Sequence, residues 1–433
     1  MVRTRRRILW KILAILWLTV GFSVSLLGQN AAPSDSLRID RILVTGNKKT
    51  KRYIIVRELG FRPGELVSRR DLQLAKERIF NLYLFNSVEF HILPFSSETV
   101  LKIAVVERWS LFPIPILEFH EHSFSRVSYG GGVADYNFLG RAQRIFFLGW
   151  AGFNPGGRIA YENNWFGGDK RLFAFLNVGS MVEINHTKQF SDLEARVSRA
   201  YLRFGKRLDP YRWTGLVVKV ERLKFSNSRA ALSSSGTDRI LSAGLHFQWD
   251  TRDWHEYPSR GYFVQAEFVD NWILGEGQFH RAKWDVRHYQ PLGGLILAGR
   301  FAATWLRGTV PVYKHIFLGY DRRIRGHFRQ TAEGKARALA SFSVRFPLVQ
   351  RRFVNLSKQL PALQKLEFGL YGALFADGGV LWSGNPHWGT GKTLRGAGIG
   401  LNFILPYSSV LRTEYAWDEN FQGEFILDMR AAF

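Results

Sequence analysis

The feature that most constrains the fold is a hydrophobic period of two, which recurs in successive segments from residue 111 to the end of the chain. In the segment 365–375, large apolar residues alternate with a mixed set that includes a lysine and a glutamate, and segments 240–250 and 424–433 alternate in the same way. Because successive side chains of a strand point to opposite faces, this pattern predicts strands with one apolar and one polar face. So many such segments in succession indicate a membrane barrel, with lipid outside and water or polar protein inside.

The composition agrees with a barrel and excludes several other classes. Aromatic residues make up 15 % of the chain and there are 41 glycines. No run of about 18 uninterrupted apolar residues follows the N-terminal segment, which argues against a helical membrane protein. The absence of cysteine from the sequence excludes disulfides, thiol catalysis, zinc–thiolate sites and a lipidated N-terminal cysteine.

The N-terminal segment has the layout of an export signal. A start with four arginines is followed by the apolar stretch 8–27 and then by small and polar residues from 28 to 36. This pattern predicts a cleaved signal peptide, residues 1–30, although about 20 residues could also serve as an uncleaved inner-membrane anchor.

The formal charge of +24 implies an anionic partner or a cationic interior. The export signal argues against nucleic acid as that partner.

Residues 37–108 form a separate small domain before the predicted barrel, 109–433. A first strand ends at the turn of residues 45–47, and a helix from Thr50 stops at Gly60. Ser68 can cap a second helix that runs to Leu82, and two strands follow at 87–93 and 99–106. The predicted order is β-α-α-β-β, a small α+β domain.

Counting the alternating segments after the small domain predicts about 16 antiparallel strands, an even number typical of such barrels. The longest outer connection is the loop 307–336, between predicted strands 11 and 12. Most inner turns are short, but the inner connection 348–363 is long and the sequence offers no reason for it. The expected fold is therefore mainly β: a small α+β domain followed by a 16-stranded transmembrane β-barrel.

Two sets of motifs resemble known families. The small domain resembles a polypeptide-transport-associated (POTRA) domain in three motifs, Ile42-x-Val44-x-Gly46-Asn47, Leu82-Tyr83-x-Phe85-x-x-Val88 and Val105-Val106-Glu107. The barrel resembles the BamA superfamily of outer-membrane assembly and secretion proteins in five stretches that occur in the family's order, 135–141, 250–261, 319–326, 375–379 and 396–401.

The BamA resemblance implies a role for the loop motif Ile324, Arg325 and Gly326. In relatives the long sixth outer loop folds back into the lumen, where its arginine contacts the inner wall. Carried over, Arg325 would approach Asp377, which has the opposite charge, and Phe375, which shares its lumenal parity.

Two residues, Arg345 and His327, do not fit the arrangement that the resemblance implies for Arg325. Arg345 faces inward by parity on predicted strand 12, which follows the loop, so we expect it near Arg325, which it would repel. His327 stands where relatives usually have Phe or Tyr.

The resemblance also implies two binding elements. In POTRA domains a sheet edge pairs with an extended chain through main-chain hydrogen bonds, and here the strand with Ser87, Val88, Glu89 and Phe90 would provide it. The terminal Phe433 resembles the signal by which outer-membrane barrels are recognised for insertion, although a residue of the aromatic girdle would look the same.

The implied function is that of an outer-membrane protein that inserts β-barrel proteins or translocates polypeptides. The POTRA domain, in the periplasm, would capture the client and the barrel would pass it on. Expected partners are unfolded outer-membrane or secreted polypeptides, outer-membrane lipids and accessory lipoproteins. The alternatives are a passive, cation-lined pore for anionic solutes and a dedicated two-partner secretion transporter.

We expect no enzymatic activity, no cofactor and no metal. No serine–histidine–aspartate set has convincing spacing. Glu118, His120 and His122 share one strand face but lie at a barrel edge, so they are a weak metal motif.

Overall fold

A computed structural model describes residues 36–429 except 96, 120–124, 186, 188, 191–192, 319–323, 328–331, 385 and 387–389. The predicted signal peptide, Phe433, and the pair His120 and His122 lie outside the described residues. Within them the chain forms a small α+β domain followed by a sixteen-stranded antiparallel sheet, which confirms the predicted fold class.

The small domain has a three-stranded sheet covered by two helices. Its elements are β1 (Ser36–Arg38), β2 (Arg41–Thr45), α1 (Arg52–Val56), β3 (Leu66–Ser68), α2 (Arg69–Phe80), β4 (Phe85–Phe95) and β5 (Glu98–Glu107). The sheet order is β2-β5-β4, with β2 parallel and β4 antiparallel to the central β5. The predicted first strand, 37–44, is divided into β1 and β2, and β1 pairs separately with β3, a short strand that the sequence did not predict. No described helix is both long and apolar enough to cross a bilayer.

Local sequence explains why the second helix begins where it does. The Ser68 hydroxyl accepts a hydrogen bond from the Asp71 backbone N–H, and the Asp71 side chain accepts one from the Ser68 N–H. This reciprocal capping satisfies donors that the first helical turn leaves unpaired. The inner face of α2, with Ala75 and Ile79, packs on the sheet in a core with Ile54 and Leu101. The first helix is shorter than predicted.

The remaining elements are the barrel strands and one hairpin. They are β6 (Leu111–Phe119), β7 (Val127–Phe138), β8 (Gln143–Gly152), β9 (Gly156–Phe166), β10 (Leu172–Asn185), β11 (Leu193–Arg207), β12 (Arg212–Phe225), β13 (Thr237–Asp250), β14 (Gly261–Ile273), β15 (Gly277–Leu292), β16 (Leu295–Gly308), β17 (Ile316–Leu318), β18 (Ala332–Gly334), β19 (Ala336–Val354), β20 (Leu366–Trp382), β21 (Lys392–Leu405), β22 (Ser409–Asp418) and β23 (Gly423–Asp428). β17 and β18 pair with each other, and the other sixteen form the barrel sheet.

The faces of the barrel strands follow the alternation of the sequence. On β20, Leu374 is 51 % exposed to the outside, whereas Phe375 and Asp377 are each 5 % exposed. On β13, Leu245 is 62 % exposed and its neighbour His246 is 2 % exposed. The apolar set therefore faces the lipid and the mixed set faces the lumen, as expected for a transmembrane barrel.

The structure explains the long inner connection at 348–363. β19 continues to Val354, past the predicted end of its strand, and pairs with the start of β20 across two register irregularities. The chain then makes a single 3₁₀ turn, Pro361–Leu363, beside the small domain. Asn86 of β4 donates hydrogen bonds to the carbonyl oxygens of Ala362 and Gln364, at 2.9 and 3.0 Å. The connection is thus a docking loop for the small domain.

This contact gives a testable expectation. Asn86→Ala removes one buried donor from two carbonyl groups, which costs about 1–3 kcal/mol. Cleavage at Lys358 by trypsin should accelerate roughly tenfold, because proteolysis follows the population of the open form. Ser97→Ala, in the exposed turn between β4 and β5, is the matched control. Equal cleavage rates for Asn86→Ala and the wild type would contradict the docking role.

Candidate functional site

The loop between β16 and β19 turns back into the barrel lumen. Its 3₁₀ turn places the Tyr313 hydroxyl 2.5 Å from a carboxylate oxygen of Asp238 on β13 and the Lys314 ammonium 3.1 Å from Glu221 on β12. Farther along, Ile324 is 2 % exposed and lies in a buried apolar cluster that also holds Leu318. The loop is therefore anchored to both sides of the lumen.

Among the described residues of this loop, Arg325 makes the most extensive set of contacts. Its Nε and Nη2 each donate to one oxygen of Asp377 on β20, both at 2.7 Å. Its Nη1 donates to Glu414 on β22 at 2.8 Å. The guanidinium carbon lies 3.6 Å from the centroid of the Phe375 ring. Arg325 itself is 6 % exposed. One cation thus joins two carboxylates and one aromatic face.

Because these groups are buried, their ion pairs contribute strongly to the stability of the barrel. A bidentate arginine–carboxylate pair is stronger than a neutral hydrogen bond and fixes the orientation of both groups. Removing one partner of a buried pair leaves an uncompensated charge, which costs about 3–5 kcal/mol. Here Asp377 is paired with Arg325, and Glu414 shares Arg325 and Arg412. The loss of Arg325 therefore removes the cation of Asp377 and one of the two cations of Glu414.

Two glycines make room for the loop backbone. Gly326 has φ of +94°, a conformation that other residues rarely adopt, and its N–H donates to Glu424 of β23 at 2.9 Å. Gly396 on β21 lies directly under the loop, and a Cβ at that position would overlap the carbonyl oxygen of Arg325. The wall and the loop thus each supply a glycine where their backbones meet.

The arginine site continues into the last two strands. Arg412 on β22 places one nitrogen 3.0 Å from Glu414 and another 2.7 Å from Asp428 of β23. The bond from Gly326 to Glu424 links the loop to β23 directly, and Arg412 links it indirectly, through Glu414. The sequence did not single out Glu414 or Arg412. Their inward parity on β22 is the only signal that could have indicated them.

The structure locates Arg345 and gives His327 a role. The ladder runs from Arg345 through Ala373 and Gly400 to Glu414, and the Arg345 guanidinium lies 4.8 Å from the Tyr257 ring centroid. Repulsion between Arg345 and Arg325 remains a prediction. His327 is 2 % exposed, with Nε2 at 2.7 Å from the Arg395 carbonyl oxygen. It fills the place behind the arginine through a polar contact.

A second site lies where the small domain meets the inner mouth of the barrel. Arg207, at the end of β11, donates to both oxygens of Glu58 at 3.2 Å. Glu58 and Arg207 are 2 % and 5 % exposed. Arg78 of α2 donates to the Tyr211 hydroxyl at 2.5 Å. The Asn81 side chain accepts from the backbone N–H of His255 in the β13–β14 turn. The two helices of the domain therefore lie over the mouth.

Further contacts extend around the rim of the mouth. Thr50 accepts a hydrogen bond from Asn137 at 2.9 Å, and Arg57 donates to the carbonyl oxygen of Trp165 at 3.0 Å. Between domain and wall lies a cavity of about 430 Å³. Burial lowers the pKa of Arg57, one of the arginines that line it. The arginines that line this cavity are Arg57, Arg78, Arg144, Arg203, Arg207 and Arg252.

The predicted client-binding strand β4 lies at the edge of its sheet, but its first half is covered. Ser87 and Val88 are buried, and the Glu89 carboxylate pairs with Lys365 of the docking loop. Phe90 is half-buried. The exposed part of the strand is its second half, where Phe95 is 65 % exposed. Pairing of a client with this edge remains a prediction, and the open segment is 91–95.

Comparison with known proteins identifies the family. Residues 137–425 match the model of the Omp85 superfamily domain, and residues 37–108 match that of the surface antigen variable number repeat, a POTRA domain. The chain belongs to the Omp85 superfamily. Its barrel is accordingly an outer-membrane barrel, and its POTRA domain lies in the periplasm.

One relative is similar in sequence to about two thirds of this Omp85 chain. The outer membrane protein assembly factor BamA of Nitratidesulfovibrio vulgaris is 22 % identical over 301 residues, which are 67 % of this chain and 37 % of that protein. The chain thus spans well under half the length of that relative.

Solved structures show the same fold. The crystal structure of BamA from Haemophilus ducreyi lacking POTRA domains 1–3 has a TM-score of 0.54 at 15 % identity and covers 92 % of this chain and 84 % of that one. CdiB from Escherichia coli has a TM-score of 0.58 at 14 % identity and covers 90 % and 74 %. At these identities the likeness establishes the fold alone.

The arginine site gives a stability prediction. Arg325→Ala should lower the free energy of unfolding of the barrel by about 3–5 kcal/mol, because two buried carboxylates lose their shared cation. The change is measured as the temperature at which the barrel shifts from its folded to its unfolded mobility on a gel. Arg239→Ala, which removes an exposed arginine at the outer end of β13, is the control. A wild-type heating profile for Arg325→Ala would overturn the assignment.

The mouth gives a prediction about conductance. Glu58→Gln removes the carboxylate that compensates buried Arg207, so the POTRA domain should dock less tightly. Purified Glu58→Gln protein in planar bilayers should then show larger or more frequent openings than the wild type. Glu98→Gln, which removes an exposed partner of Arg41 within the same domain, is the matched control. Unchanged conductance in Glu58→Gln would contradict a covering role for the domain.

Proposed function

We propose that this chain passes polypeptides into or across the outer membrane without enzymatic activity. The POTRA domain binds an unfolded outer-membrane or secreted polypeptide in the periplasm, and the barrel passes it on. Outer-membrane lipids and accessory lipoproteins are further proposed partners. The similarity to a protein described as an assembly factor supports this proposal.

The observation that carries the proposal is the covering of the lumen at two levels. The loop with Arg325 is bound to the walls by buried charges, and the POTRA helices lie over the inner mouth. A barrel that serves small solutes by diffusion needs an open path through its centre. The described residues instead place structured protein in that path and position a periplasmic domain against most of the inner turns. This arrangement suits a polypeptide cargo that first displaces the POTRA domain from the inner mouth.

The passive pore is the second candidate because of one specific observation. Arginines line the cavity beneath the POTRA domain, which would favour anionic solutes. Each of Arg78, Arg207 and Arg252 is however bonded to a protein oxygen. These charges are thus largely used within the protein, which weakens the case for an anion path.

Depletion of the protein in its native host tests the proposal. Quantitative proteomics of the outer membrane and of the medium should show the loss of several unrelated barrel proteins if the cargo is inserted. The loss of a single exported protein would indicate dedicated secretion. Complementation with the wild type should restore the profile, and Arg325→Ala should restore it only in part. An unchanged protein profile with reduced anion uptake would overturn the proposal in favour of the pore.

A further inference from the structure

Four exposed cations form a group on the outward face of the barrel. They are Arg196 on β11, Arg222 and Lys224 on β12, and Arg239 on β13. The opposite ends of these strands lie at the POTRA domain, where Tyr211 and Asp253 of the inner turns accept hydrogen bonds from it. The four cations therefore lie near the outer end of the barrel, away from the periplasm.

The burial of their neighbours shows that the four side chains point away from the lumen. Val197, Leu223, Asp238 and Ile240 alternate with them along the three strands, and each is at most 3 % exposed. Three of these neighbours belong to the apolar cluster inside the barrel, and Asp238 accepts the hydrogen bond from Tyr313 of the loop. Because successive side chains of a strand point to opposite faces, the four cations face outside.

The register of the sheet brings these like charges together. Arg222 and Arg239 are directly opposite each other on β12 and β13, and Arg196 and Lys224 are directly opposite on β11 and β12. The Cβ atoms of directly opposite residues are about 4.5–5.5 Å apart, and like charges in such a pair destabilise a sheet. The arrangement is unfavourable for the protein alone. An anion between the cations would offset the repulsion.

Protein carboxylates do not supply that anion. Glu221 and Asp238 are adjacent in sequence to two of the cations, but they point into the lumen and are each 1 % exposed. The described outward face of β11, β12 and β13 carries one carboxylate, Glu194, which stands opposite Ile184. Among the described residues, no ion pair joins a carboxylate to any of the four cations. Their charge is thus available to a ligand.

An apolar surface lies directly beneath the cations, toward the middle of the membrane. Val220 and Leu241 are opposite each other two residues below the arginine pair, and they are 53 % and 40 % exposed. Leu216 and Leu245 form a further opposite pair on the same strands and are 56 % and 62 % exposed. The cations therefore stand at the boundary where the lipid-facing band of a barrel meets the headgroups.

We propose that Arg196, Arg222, Lys224 and Arg239 bind the phosphorylated headgroup of a lipid in the outer leaflet, and that its acyl chains lie on the apolar surface below. Arginine binds phosphate through paired, charge-assisted hydrogen bonds. Two facing pairs of cations suit a headgroup with two phosphate groups, which is an acylated glycolipid of the lipid A type.

The occupant is a lipid, not a soluble anion, because the cations and the apolar surface are continuous on one face. The proposal rests on the part of the proposed function that names outer-membrane lipids as partners. It gives those lipids a site and a headgroup chemistry.

Native mass spectrometry of the purified full chain in nonionic detergent tests the proposal. The probes are lipid A with two phosphate groups, phosphatidylglycerol and inorganic phosphate. The site variant is Arg222→Gln with Arg239→Gln. The matched control is Lys206→Gln with Arg212→Gln, which removes two exposed cations from the same face of β11 and β12 at their inner ends. The heating profile confirms that each variant is folded, as expected for the site variant because it loses a repulsion when no lipid is present.

The wild type should bind one molecule of lipid A, and the site variant should bind it roughly thirtyfold more weakly, as the loss of two cations at a lipid surface implies. The inner-end control should bind like the wild type. Arg222→Lys with Arg239→Lys keeps both charges and should bind more tightly than the glutamine variant. Equal affinities of the site variant and the wild type, or an equal loss in the control, would overturn the proposal.

The other probes test which ligand occupies the site. Complete displacement of lipid A by inorganic phosphate would mean that the site takes a free anion, which contradicts a lipid occupant. Phosphatidylglycerol that binds as tightly as lipid A would contradict the headgroup with two phosphate groups. Weak binding of both probes supports the proposal.

This assay uses purified protein, so its outcome is separate from that of the depletion experiment. Lipid A binding at the four cations, together with an unchanged outer-membrane proteome after depletion, would retain the site and reject the proposed function. Loss of several barrel proteins after depletion, without lipid A binding by the purified chain, would retain the function and reject the site.

Discussion

The buried guanidinium of Arg325 is the interaction on which the arrangement of the lumen depends. It pairs with Asp377 and Glu414, which come from strands two apart in the sheet, and its central carbon lies 3.6 Å from the Phe375 ring centroid. Glu414 also pairs with Arg412 of the wall, whereas Asp377 is paired with a cation of the outer loop, which reaches it only because the loop enters the lumen. The loop position and the charge of Asp377 therefore require each other. Gly396 is needed for the same reason, since any side chain there would occupy the volume of the loop backbone.

The same network determines the properties of the last strand. β23 has only six described residues and one strand partner, yet Glu424 and Asp428 attach it to the loop and to Arg412. At the inner mouth, the pair of Glu58 and Arg207 holds the POTRA domain over the lumen. The loop and the POTRA domain thus cover the lumen at two levels.

Much of the fold could be predicted because the alternation of side chains is a local property of the sequence. Inward and outward faces of strands such as β13 and β20 follow directly from it. The resemblance of the loop motif also indicated Asp377 and Phe375. Other features depend on long-range pairing. The partner Glu414 is one of many inward polar residues, and nothing in its neighbours marks it. The extension of β19 to Val354 depends on a POTRA domain that docks more than 250 residues away in sequence, through Asn86. The contacts of Arg345 with the rings of Tyr257 and Tyr289 were not predicted, because parity gives a strand face but not the partners of a side chain within the lumen.

A double-mutant cycle between Arg325→Met and Asp377→Asn tests the central claim most directly. Unfolding of the wild type, both single variants and the double variant would be followed by denaturant titration in the same detergent. A direct buried ion pair predicts a coupling energy of about 2–3 kcal/mol, with the double variant more stable than the sum of the single changes implies. A coupling energy near zero would mean that the two residues act independently, and it would contradict the account of a loop held in the lumen by its arginine.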